Sequence, residues 1–94
     1  MNPDTLTLPV ISTETDSKEG LASRVVLYND DHHSFDEVAH QIMKAIACSL
    51  TTAYGYTYEA HYNGKTVVFG GGLPECLKVA SILEEIALHT EIIT

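Results

Sequence analysis

Thr51 to Tyr62 reads TTAYGYTYEAHY, and the fold turns on whether this stretch coils or extends. Tyr54, Tyr58 and Tyr62 stand at i, i+4 and i+8, the spacing of one helix face. Tyr54, Tyr56, Tyr58, Ala60 and Tyr62 alternate equally well, which is the pattern of an aromatic-rich strand. Gly55 counts against a helix interior. Periodicity alone leaves both readings open.

The flanks are clearer. Upstream, Val38, Ala39, Ile42, Ala45 and Ile46 recur at helical spacing, with Asp36, Glu37, His40, Gln41 and Lys44 on the other side. Ser34 followed by Glu37 forms a capping box, so a helix is expected over 34–48. Before it, Arg24 to Leu27 (RVVL) is a β-branched run closed by the turn-prone Asn29-Asp30-Asp31, and reads as a strand. Downstream, Asn63-Gly64 makes a turn and KTVVFG predicts a strand over 65–70. After Gly70 to Gly72, Pro74 suits a first helical turn. Cys76, Val79, Ala80, Leu83, Ile86 and Ala87 form an apolar face with Glu75, Lys78, Glu84 and Glu85 outside it, predicting a helix over 74–88. Ile92 and Ile93 suit a short last strand. The order β, α, undecided, β, α, β points to an α/β sandwich with helices on one face of a small sheet.

Ninety-four residues suffice for one small domain. Residues 1–22 are rich in Thr, Ser, Asp and Glu without a long amphipathic pattern, and read as a disordered arm; residues 23–94 read as the globular part. Thirteen acids against five bases give a net charge of −8, which argues against nucleic acid and favours cationic partners. Neither a signal-peptide pattern nor an apolar run of membrane-spanning length is present. Cys48 and Cys76 lack CxxC spacing, sit in apolar helical patterns and read as buried reduced thiols. These features together predict a cytoplasmic protein that does not bind a membrane.

Tyr28 to Val38, YNDDHHSFDEV, holds the densest cluster of polar chemistry. Asp30, Asp31, His32, His33, His40 and His61 are candidate metal ligands, but no spacing matches a zinc arrangement. Adjacent His32 and His33 do not easily point the same way in an extended segment. No nucleophile elbow or phosphate loop accompanies the cluster, so neither a hydrolase nor a cofactor is expected. Asp and Asn favour turns and helix N-termini. Because Ser34 already caps the helix, Asn29, Asp30 and Asp31 exceed what capping needs.

Leu27-Tyr28-Asn29-Asp30-Asp31, then Phe35 opening a helix with Val38, then His61-Tyr62-Asn63-Gly64-Lys65, resembles the ClpS adaptors of bacterial AAA+ proteases, with Lys78-Val79-Ala80 matching a further motif. The resemblance covers about residues 24–93. It implies a βααβαβ fold like the C-terminal domain of the ribosomal stalk protein, with a small antiparallel three-stranded sheet and the tyrosine segment as a helix. It also implies a non-enzymatic adaptor that binds N-end rule polypeptides beginning with Leu, Phe, Tyr or Trp. Such an adaptor delivers them to a ClpA- or ClpC-type unfoldase for degradation by ClpP. Asn29, Asp30, Asp31 and His61 match the positions that bind the substrate's α-amino group, and Phe35, Thr57, Ala60 and Ile92 the side-chain pocket. Thr57 and Ala60 fall where other members carry larger apolar residues, which predicts a roomier pocket favouring aromatic first residues. Lys78, with Glu75 as a substitute for the family's glutamate, matches the unfoldase-facing surface. The polar arm suits engagement by the unfoldase. The alternative is a stalk-like interaction domain of the same fold without the amine site.

Overall fold

A computed structural model describes residues 10–12 and 23–94. In chain order the elements are β1 (Val10–Ser12), β2 (Ser23–Tyr28), α1 (Phe35–Ile46), α2 (Leu50–Asn63), β3 (Lys65–Gly71), α3 (Leu73–Leu83), a 3-10 turn (Glu84–Ile86) and β4 (Thr90–Ile93). Strand β2 pairs antiparallel with β3 on one side and β4 on the other, giving the expected three-stranded antiparallel sheet. Strand β1 pairs parallel with the outer side of β4, so the full order is β1-β4-β2-β3. Those three residues fall within the segment read as an arm; the rest of residues 1–22 lies outside the described residues.

Helix α1 starts as its residues dictate. The Glu37 N–H donates to Ser34 Oγ (3.1 Å) and the Ser34 N–H to Glu37 Oε1 (2.8 Å), closing the capping box. Its C-terminus comes earlier than the expected residue 48. Ala47 adopts a left-handed conformation (φ 56°) and its N–H donates to the Met43 carbonyl. Glycine is the usual residue there, so an alanine leaves no stop signal to read. Ser49 then caps α2 by accepting from the Thr52 N–H at 3.1 Å.

The ambiguous segment is helical, but the tyrosine stripe is not its buried face. Ala53, Thr57 and Ala60 are buried, whereas Tyr58 and Tyr62 are exposed. Small side chains let α2 pack closely on α1 and β3. The second apolar helix also ends early, at Leu83, followed by the 3-10 turn and a left-handed Ala87 (φ 63°). Val25, Leu27, Val68 and Ile92 from the sheet join Val38, Ile42, Ala53, Val79 and Leu83 from the helices in one buried cluster, so the helices cover a single face. Cys76 is buried and Cys48 half-buried, both as free thiols.

Candidate functional site

One end of the sheet opens into a cavity of about 200 Å³ where β2 runs out, α1 begins and α2 ends. Leu27, Tyr28, Asn29, Asp30, Asp31, His33, Phe35, Val38, Thr57, Ala60 and His61 line it. The residues around 29–31 and His61, remote in sequence, therefore share one space. A backbone bond explains how. Gly64 ends α2 in a left-handed conformation (φ 89°), its N–H donating to the Ala60 carbonyl at 2.9 Å. Its own carbonyl accepts the Asn29 N–H at 2.9 Å, which ties the last turn of α2 to the corner after β2.

The corner is built from local bonds. Asp30 Oδ2 accepts the His32 N–H (2.9 Å) and the His33 N–H (2.7 Å), and lies 2.8 Å from His33 Nδ1. The aspartate thus folds the chain back on itself in an Asx-type turn. Its side chain is 9% exposed. Burial pushes the Asp30 carboxyl upward, but the hydrogen bonds from His33 and His32 and the nearby His33 ring outweigh it, leaving the pKa below the ordinary value. Asp31 is exposed, and its Oδ1 accepts from Asn29 Nδ2 at 3.1 Å. That bond orients the Asn29 amide with its nitrogen toward Asp31, leaving the amide oxygen as an acceptor.

The apolar side consists of Leu27, Phe35, Val38, Thr57 and Ala60. The Thr57 hydroxyl donates to the Ala53 carbonyl at 2.8 Å, so its polarity is satisfied within α2. The Phe35 ring meets the His61 ring edge-on, with centroids 5.3 Å apart, and the Tyr58 ring at 6.1 Å.

Seven of the expected site residues, Asn29, Asp30, Asp31, Phe35, Thr57, Ala60 and His61, line this cavity. Ile92 does not: it is fully buried in the core, on a strand flanked by β1 and β2. Glu75 and Lys78 lie on α3, exposed one helical turn apart and away from the cavity walls. Leu27, Tyr28, His33 and Val38 join the lining without having been expected there. His33 carried a signal, since an Asp three residues before a His suits a side-chain bond across a turn. Tyr28, whose hydroxyl donates to Glu91 Oε1 (2.5 Å), was hidden behind its role as a strand end. Among the described residues no group of three His, Cys, Asp or Glu side chains is placed to hold a metal ion, and no helix is long and apolar enough to cross a membrane.

The sequence model of the family described as "ATP-dependent Clp protease adaptor protein ClpS" matches residues 18–91. The chain belongs to the ClpS family. It is also 33% identical over 66 residues to the E3 ubiquitin-protein ligase UBR1 of Homo sapiens, a match covering 70% of this chain. UBR1 of Mus musculus matches to the same extent. The chain spans about 4% of the length of these relatives. The family is described as one of adaptor proteins, and the α+β fold above is consistent with it.

Proposed function

We propose that this protein is an N-degron adaptor whose cavity receives the first residue of a polypeptide with a free α-amino group. The observation that carries the reading is the convergence of Asn29, Asp30 and His61 on a single cavity that also has an apolar side, formed by Leu27, Phe35, Val38 and Ala60. A protein N-terminus is a small cation, and capturing it needs acceptors arriving from different directions. The Asn29 amide oxygen, the Asp30 carboxylate and an imidazole nitrogen of His61 are such a set. Asp30 makes its turn through Oδ2, so Oδ1 is the oxygen offered to the ammonium. Its lowered pKa keeps it charged at neutral pH. Asp31 acts on Asn29, holding the amide in register.

Each charge-assisted bond contributes about 1.5–3 kcal/mol. Burying the first side chain adds roughly 1.5–3 kcal/mol. Less the cost of ordering a peptide end, affinity on the order of micromolar follows. The cavity is smaller than the roughly 300–1,000 Å³ of sites for drug-sized ligands, which suits one amino-acid side chain. Small Thr57 and Ala60 recess the wall, favouring Phe, Tyr and Trp over Leu. Delivery goes to a ClpA- or ClpC-type unfoldase, with Lys78 and Glu75 on the docking face and residues 1–22 engaged during transfer.

The test is a titration of labelled peptides starting with Leu, Phe, Tyr, Trp, Val and Met, each with a free and an acetylated amine. Tight binding of the free aromatic set, weak binding of Val and none of the acetylated set is the expected result. Equal binding of acetylated peptides would sink the reading, and Leu ranking above the aromatics would sink the claim about the recessed wall.

A further inference from the structure

Tyr58 and Tyr62 are 56% and 65% exposed, although each is a large aromatic on a helix whose buried face is made of alanines and a threonine. They stand together. Their ring centroids are 4.4 Å apart and Tyr58 Oη donates to Tyr62 Oη at 3.2 Å, so the two hydroxyls partly satisfy each other at the surface. The shared bond raises the Tyr58 phenol pKa above its ordinary value. The pair is continuous with the cavity. Tyr58 meets the edge of Phe35 at 6.1 Å and Tyr62 meets His61 at 5.0 Å, and both inner rings line the cavity. An extended peptide advances about 3.3–3.6 Å per residue. A chain whose first residue fills the cavity therefore places its second or third side chain within reach of this shelf if it leaves on that side.

Charge selects the occupant. Helix α2 carries Glu59 and no lysine or arginine, the first turn of the facing α1 carries Asp36 and Glu37, and the protein has a net charge of −8. An aromatic face in an acidic field attracts a guanidinium or ammonium group, and a planar guanidinium also stacks. We infer that Tyr58 and Tyr62 form a second subsite that reads the residues following the N-terminal one, preferring arginine over neutral side chains and rejecting acidic ones. This rests on the cavity being the first-residue site and adds a specificity element outside it.

The experiment compares free-amine peptides that begin Phe-Arg, Phe-Ala and Phe-Glu and are otherwise identical, titrated into the full chain and into Tyr58→Ala/Tyr62→Ala and Tyr58→Phe/Tyr62→Phe. The wild type should bind Phe-Arg about two- to fivefold more tightly than Phe-Ala, the size of an exposed cation–π contact. Phe-Glu should be weakest. The double alanine variant should lose the Arg-over-Ala preference while binding Phe-Ala within about twofold of wild type, and the double phenylalanine variant should keep the preference. Overall charge is unchanged in both variants, so a preference that survives in the alanine variant belongs to the general acidic field and overturns the subsite. So does a wild type indifferent to the second residue. If no free-amine peptide binds the wild type, the first-residue site falls and takes this subsite with it, whereas binding without second-residue discrimination removes the subsite alone.

Discussion

The corner at residues 29–33 is held by bonds between neighbours in sequence, from Asn29 to Asp31 and from Asp30 to His32 and His33. The wall opposite exists only because α2 packs on α1, bringing Thr57 and Ala60 to face Phe35 and Val38. A corner made locally keeps its acceptors in place before any ligand arrives, which favours recognition of a point charge. A wall made by packing small residues takes its shape from what is missing, and under the proposed function it would set the size of the side chain accepted. The Gly64 carbonyl joins the two by accepting from the Asn29 N–H.

The sharpest way to break the acceptor set is Asp30→Asn in the corner, or His61→Ala on α2. Under the proposed function each removes one contact to the amine, and peptide binding should weaken about ten- to a hundredfold by titration. Asparagine still accepts the two backbone N–H bonds, so the turn should survive. The same variant has a pH signature. The folded pKa of Asp30 is lowered, so its contribution to stability is complete above the unfolded value of about 3.9 and is lost as pH falls through the folded value. Thermal unfolding between pH 5 and 2 should therefore drop less steeply in Asp30→Asn than in the wild type.

The wall is broken separately by Ala60→Leu, which puts volume into the cavity rather than the core. Binding of Phe and Trp peptides should weaken by about 1–3 kcal/mol, with free-amine discrimination retained for smaller first residues. The link between corner and wall is tested by Gly64→Ala. A Cβ meets no atom within 4 Å there, but φ is +89°, so backbone strain of about 1–2 kcal/mol should appear in denaturant unfolding. A smaller effect, about 0.5–1.5 kcal/mol in peptide affinity with little change in stability, is expected from Asp31→Ala, which frees the Asn29 amide to turn. Smallest is Gly55→Ala, which should stabilise the protein by up to about 1 kcal/mol and leave affinity untouched, since this helical glycine has open space around it.

The same contrast governs what could be read from the residues. The corner and α1 were legible because their determinants are adjacent: the Ser34/Glu37 box, the Asn29-Asp30-Asp31 turn and the apolar spacing behind them. Helix α2 was not, because its buried face is alanine and threonine, which carry little hydropathy signal, while Tyr58 and Tyr62 are exposed and Tyr54 and Tyr56 pack only partly against the core. The early end of α1 rests on left-handed Ala47, and the 3-10 turn after α3 ends on left-handed Ala87, residues that announce no stop. Resemblance to a family supplied the placing of His61 on the same cavity as the 29–31 corner, a juxtaposition of distant segments that no local pattern contains. The position of Ile92 shows the limit of that transfer: a short terminal strand flanked on both sides turns its isoleucine into the core.

The receptor for a leading ammonium group is tested most directly by deleting that group from the ligand. A peptide beginning with phenylalanine and its des-amino counterpart should differ on the order of a hundredfold in Kd on the wild type. On the Asp30→Asn/His61→Ala protein they should differ by no more than about threefold, because the partners of the missing group are gone. Two ligands bound equally well by the wild type, or a difference that persists undiminished in the double variant, would contradict it.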